Sequence, residues 1–457
     1  MIRMRIGQAG CALAGLCLAC GAQAWSVQAP QRGLAAAGDA DPATSVALAP
    51  AAAGPGKRTE QAKLVAPDGV ANDWLGRAVA IAGDTALVGA ANHDVGVNDS
   101  QGAAYVYVRQ GGTWTLQATL VAADGTALAR FGSSVALSGN TALVGAPAAS
   151  LGASTAQGAA YVFVRSGTTW TQQARLNALD GAAFDYFGES VALAGDRAVV
   201  GAYLDDVGTN TDQGSAYVFQ RSGMAWAQQA KLLAADGAAE DRAGESVALS
   251  ADTVLVGVRS DDVGSNVDQG SAYVFVRSGA DWPQQAKLQA ADGQANDLFG
   301  WRVALWGDTA LVGVDKDDVG AGTDQGSVRV FVRSGTAWTP QATLVAADGS
   351  AFGEFGVSVA LEGDLALVGS WDDVGGVGAR GSSAYVFARS GANWAQQSKL
   401  ASSDGVAGDL FGSAAALSNG TALVGAHWAT IGSNVRQGAA YAFIVGGETP
   451  LFANGFE

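Results

Sequence analysis

The side chains able to do chemistry are few in kind and unevenly placed. There are two histidines, His93 and His427, and three cysteines, Cys11, Cys17 and Cys20. His93 stands next to Asp94, so it could act as a base, but no nucleophile recurs with either histidine and no catalytic residue is assigned. What recurs is aspartate. Of the 42 acidic residues, 28 fall in two sets of loops. In one set, Asp205, Asp206 and Asp212 are followed at a fixed spacing by Asp261, Asp262 and Asp268, and then by Asp317, Asp318 and Asp324. Oxygen-rich sets of this kind suit calcium, which takes six to eight oxygen ligands. They lack the Asp-x-Asp-x-Asp-Gly order of a calcium loop, and Asp also closes turns on its own backbone. The expectation is therefore no cofactor. Asp205, Asp206, Asp261, Asp262, Asp317, Asp318, Asp372 and Asp373 are the candidate contacts for a partner.

Composition narrows the classes. The chain has 457 residues, 26 Lys+Arg against 42 Asp+Glu, and a formal charge of −16. That balance argues against a nucleic-acid partner, which needs basic patches. Apolar residues make up 49 % and charged residues only 15 %, against roughly 25 % charged in an average domain, so a large core is expected. Residues 1–24 read as an export signal: a basic start at Arg3 and Arg5, an apolar run from Cys11 to Cys20, and the cleavage site Ala22-Gln23-Ala24. Its removal would take every cysteine, leave no disulfide or thiol chemistry, and bring the charge to −18. Lipidation at Cys20 is not the expectation, because the position three before it is not the usual Leu. No other apolar run reaches the ~18 residues of a membrane span. Residues 25–57, rich in Ala, Pro and Gly, read as a flexible linker.

The elements that must carry these loops repeat. Gln61, Gln117, Gln173, Gln229, Gln285, Gln341 and Gln397 open copies spaced by 56 residues. In the third copy, Phe187 to Leu193 reads as a strand, Ala194 to Arg197 as a tight turn, and Ala198 to Ala202 as a second strand. Leu204 to Gly214 is a polar loop, Ser215 to Phe219 a third strand, and Trp226 to Leu232 a fourth. Four short strands per copy, radially repeated, make a propeller. The Trp-led fourth strand occurs only six times, from Trp114 to Trp394, and Pro450 holds its place in the last copy. Thr59 to Leu64 matches it at the other end, so the N-terminal strand should close the ring rather than leave two defective ends. The tryptophans read as filling between blades. Arg109, Arg165, Arg221, Arg277, Arg333 and Arg389, after the third strands, read as solvated edge charges.

Phe131-Gly132, Phe187-Gly188, Phe299-Gly300, Phe355-Gly356 and Phe411-Gly412, with Leu143-Val-Gly-Ala-Pro147 and Gly158-Ala-Ala-Tyr-Val-Phe163 downstream, resemble the FG-GAP repeats of integrin alpha heads and many bacterial surface proteins. Leu75-Gly76 and Ala243-Gly244 depart from the motif. The resemblance implies an all-β, seven-bladed β-propeller of four-stranded antiparallel blades over residues 58–452, followed by a short tail, 453–457. It also implies an exported bacterial protein, secreted, periplasmic or at the cell surface. The family's calcium loop between the first two strands does not carry over, since Ala82 to Thr85 and Ser138 to Thr141 are too short to wrap an ion. The expected function is a monomeric, non-enzymatic recognition or adhesion module, binding an extracellular protein or glycan through the acidic loop face. The alternatives are an enzyme with a site in the central depression of that face, or a purely structural surface protein.

Overall fold

The computed structural model describes residue 58 and residues 60–371 and 382–446. Their strands form seven sheets of four antiparallel strands each. In the third blade the strands run Ser190–Ala194, Arg197–Ala202, Ser215–Ser222 and Ala225–Leu232, hydrogen-bonded in that order. The first strand starts three residues later than its pattern suggests. Phe187 is held by a parallel bridge to Gly158 of the preceding blade, and Gly188 then turns the chain at φ +99°. A Cβ there would lie 2.4 Å from the Ala159 carbonyl oxygen. Positive φ and the lack of space together require glycine.

The core lies between blades. Each of seven apolar clusters draws on two neighbouring blades. Between the first and second blades, Leu87, Val106 and Leu120 meet Phe131, Val144 and Tyr161. The Phe of the Phe-Gly pair is fully enclosed there, edge-on to Tyr161 and Phe163 at 5.6 and 5.9 Å. Burying such a ring contributes about 1.5–3 kcal/mol. The second strands are sandwiched on both faces and buried at nearly every position. Their glycine permits the close approach of the next blade: a Cβ on Gly201 would meet the Gly244 carbonyl oxygen at 1.9 Å.

Glu60–Leu64 pairs antiparallel with Ala439–Ile444 and completes the seventh blade. It even reproduces the bulge found between the third and fourth strands of the other blades. The closure is reinforced beyond the strand itself. Gln437 Nε2 donates to the Ala66 carbonyl at 3.1 Å, Asn434 Nδ2 to the Gly69 carbonyl at 3.1 Å, and Lys63 pairs with Asp404 at 2.7 Å. The same bonds join other blades to the link that follows: in the fourth, Asn266 Nδ2 donates to the Gly293 carbonyl at 3.0 Å and Gln269 Nε2 to the Ala290 carbonyl at 3.2 Å.

Five of the six arginines after the third strands, all but Arg277, are not solvated edge charges. Arg221 Nε donates to Asp196 at 2.6 Å and Nη1 to Thr141 of the preceding blade at 3.2 Å, while its guanidinium lies 5.4 Å from the Trp226 ring centroid. Trp226 Nε1 in turn donates to Gln173 of the preceding blade at 3.0 Å. Arg109, Arg165, Arg221, Arg333 and Arg389 thus each cover a tryptophan and clasp two blades, a use of the planar guanidinium that solvated charge would not need. Arg277 instead bonds Asp252 and Gly279 of its own blade, and Arg197 of the preceding blade covers Trp282 in its stead.

Candidate functional site: the loop face and its axial cavity

The second-to-third loops and the blade-to-blade links share one face, because antiparallel strands return them to the same end of each blade. The loop aspartates divide by depth. Asp205, Asp261 and Asp317 are buried, with 3, 4 and 7 % of their surface exposed. Asp205 accepts from Ser215 Oγ at 2.5 Å and Tyr217 Oη at 3.1 Å, and pairs with Lys231 at 2.7 Å. Lys231 also pairs with Asp180 in the preceding link at 2.7 Å. Lys287 joins Asp236 and Asp261 in the same way, and Arg329 joins Asp292 and Asp317. The cation holds Asp180 and Asp236 below the usual carboxylate range, against the opposing effect of burial. These acids knit a loop to a strand and a link, and present no free carboxylate to a partner.

Asp206, Asp262 and Asp318 are exposed. Each accepts a backbone N–H six residues on, from Asp212, Asp268 and Asp324, at 2.9, 2.9 and 2.8 Å. The acceptance holds those donors' residues at φ +53°, +51° and +48°. The turn-closing role of Asp therefore accounts for the repeated spacing. Among the described residues no three His, Cys, Asp or Glu side chains are grouped to hold a metal ion. Asp372 and Asp373 lie outside the described residues.

His93 and His427 sit in separate networks. His93 Nδ1 is 3.0 Å from Asp73, with Tyr105 Oη 3.4 Å from Nε2, and the bond to Asp73 raises it above an ordinary imidazole. His427 Nδ1 is 2.8 Å from Ser413 Oγ. Burial, then Arg77, pushes His427 down to about 3. A base that weak, with no carboxylate orienting it among the described residues, does little to activate Ser413.

A feature missed in the sequence lies on the axis. A cavity of about 420 Å3 is lined by the start of the first strand of every blade. The residue after the Phe-Gly position is Arg77, Ser133, Glu189, Glu245, Trp301, Val357 or Ser413 in successive blades, and Arg302 follows Trp301. The residues just past the second strands form a second ring by repeat position, Ala91, Pro147, Tyr203, Arg259, Asp315, Trp371 and His427, of which Trp371 joins the lining. All seven residues of that ring differ. Three positions earlier on the same strands all seven are Val, from Val88 to Val424. Packing dictates the valines and leaves the axial residues free to vary. Comparing the copies column by column would have found the cavity; a search for one repeated residue type could not.

The charges there are unevenly matched. Glu245 pairs with Arg259, whose guanidinium lies 4.8 Å from the Trp301 ring centroid. Among the described residues Glu189 has one ion-pair contact, Arg77 at 4.0 Å, and burial raises its carboxyl above the usual range. Arg302 donates Nη1 to the Trp301 carbonyl at 2.9 Å and makes no ion pair among the described residues; burial lowers it. Asp315 is 2 % exposed, its Oδ1 has no partner, and burial followed by Glu354 pushes it up to about 7.

The fold is a closed seven-bladed β-propeller with one elaborated loop face and a polar axial cavity. A model of the FG-GAP repeat matches residues 59–107, 114–163, 170–219, 226–275, 282–331, 338–387 and 394–443, so the chain belongs to the FG-GAP repeat family. No curated protein matches it.

Proposed function

We propose that the protein is a non-enzymatic recognition or adhesion module, exported from a bacterial cell, that holds an extracellular protein or glycan against its loop face. The observation that carries this reading is the inequality of the two faces. Both sets of long connections end on one face, where Asp206, Asp262 and Asp318 are exposed. The opposite face closes in tight turns whose acids are engaged by arginine, as Asp196 is by Arg221 and Asp308 by Arg333. A propeller positions such loops rigidly, and the residual negative field favours a partner with basic groups. Membership of a family whose propellers are consistent with protein interaction supports the same reading.

The test compares the mature chain with the Asp206→Asn/Asp262→Asn/Asp318→Asn variant on an array of extracellular proteins and glycans at low ionic strength. Spots that retain the wild-type chain should lose at least about tenfold in the variant, with its Tm unchanged. An array that retains neither protein, or both equally, would sink the proposal.

A further inference from the structure

The axial cavity supports a second inference, independent of the loop-face reading. Its wall carries two cations, Arg77 and Arg302, and two anions, Glu189 and Glu245. Among the described residues only Glu245 of these has a close ionic partner, Arg259. Glu189 and Arg302 are drawn from water without one: the Glu189 side chain is 22 % exposed and stands 4.0 Å from the more exposed Arg77, while among the described residues Arg302 has one hydrogen bond, to a backbone carbonyl. Half-buried charges left this way cost stability and gain from a ligand that completes them. Behind this wall the Asp315 Oδ1 and Trp301 Nε1 atoms are buried with no partner, so polar groups at the axis are left unsatisfied.

The composition of the wall selects the ligand. A simple anion would meet Glu189 and Glu245, and a simple cation would meet Arg77 and Arg302. A sugar would want an open aromatic face and has no use for four charged groups. Of the two tryptophans on the wall, Trp301 is already engaged by the guanidinium groups of Arg259 and Arg302, at 4.8 and 5.2 Å, which leaves Trp371 and makes a sugar the alternative that the glucose probe tests. A molecule with one pole of each sign and no net charge fits both halves of the wall. The cavity, at about 420 Å3, is in the size range of small-molecule sites. We propose that the axial cavity binds a small zwitterion, an amino acid or short peptide. Its carboxylate faces the guanidinium groups of Arg302 and Arg77, and its ammonium faces Glu189. A planar guanidinium matches a carboxylate bidentately, which gives the orientation.

The experiment is calorimetric titration of the mature chain with the common amino acids and glycylglycine. For any that bind, the N-acetyl and the carboxamide derivatives are titrated alongside, with glucose as the sugar probe. At least one zwitterion should bind, and loss of either pole should weaken it about tenfold or more. Glu189→Gln should weaken the zwitterion and its carboxamide comparably, since both keep the ammonium, while leaving the N-acetyl derivative as poor a ligand as before. Arg77→Gln, at a partly exposed site, provides a second variant if Glu189→Gln fails to fold. The proposal is overturned if no zwitterion binds at about 10 mM, if removing a pole has no effect, or if glucose binds as well. None of these outcomes bears on the exposed loop aspartates, so the two proposals fail separately.

Discussion

At the scale of single residues, the chain uses aspartate in two opposite ways within two adjacent positions. Asp205 is an interior ion and Asp206 a surface turn-closer, although both belong to one Asp-Asp pair. The difference follows from what each can reach: Lys231 and Tyr217 lie under the loop, and the Asp212 amide lies over it. Breaking a buried pair by removing one partner leaves an uncompensated charge and costs about 3 kcal/mol or more. Lys231→Met should therefore destabilise the protein strongly, since it strands Asp205. The matching change in the seventh blade, Lys63→Met, should cost under about 1 kcal/mol. There the loop position is Ala429, and among the described residues the one carboxylate paired with Lys63 is the half-exposed Asp404. Denaturant unfolding of the two variants beside the wild type measures both values. Equal losses would show that the buried aspartate is not what the lysine serves.

At the scale of elements, what could be read beforehand was whatever packing repeats. The Phe-Gly pair, the Val-Gly strand and the Trp-led strand recur because every interface between blades needs the same shapes, so strand order and closure by Glu60–Leu64 followed from counting. The loop acids were legible as a pattern but not in their depth, because one sequence does not say whether Asp205 or Asp206 points inward. Five of the six arginines after the third strands were misread for a related reason. Arg221 has no obvious partner nearby in sequence, and its Thr141 partner is 80 positions away on another blade. The axial cavity escaped a search for repeated residue types because its residues share none; its signal is the one column that varies while its neighbours repeat. The closing strand gives the element-scale prediction. A chain begun at Val65 exposes the edge of Ala439–Ile444, an unpaired strand that invites association. It should show a lower Tm and aggregate in size-exclusion chromatography, and a synthetic peptide of residues 58–64 should restore the monomer by adding the missing strand. A truncated chain that stays monomeric at the wild-type Tm would show that the ring does not depend on this strand.

At the scale of the whole molecule, the question is how a formal charge of −16 is accommodated. The buried Asp205, Asp261 and Asp317 are neutralised locally by Lys231, Lys287 and Arg329, while the buried Asp185, Asp241 and Asp297 each accept a backbone N–H at 2.6 Å and are pushed up to about 6 by burial. Much of the remaining surplus resides on exposed residues such as Asp206, Asp262 and Asp318. Like charges gathered on one face repel one another, and this repulsion is screened as ionic strength rises and the Debye length falls from about 30 Å at 0.01 M to about 8 Å at 0.15 M. Added salt should then raise Tm modestly. Calcium offers a sharp contrast, because a specific site would stabilise the folded state by mass action well beyond screening. The near carboxylate oxygens are taken by lysine, serine, tyrosine or backbone N–H groups, and no three acidic or histidine side chains converge among the described residues. Calcium chloride should therefore raise Tm no more than sodium chloride of equal ionic strength, and a chelator should not lower it. A calcium-specific rise that the Asp206→Asn/Asp262→Asn/Asp318→Asn variant loses would place an ion in the loops and turn the acidic face from a charged surface into a metal-dependent one.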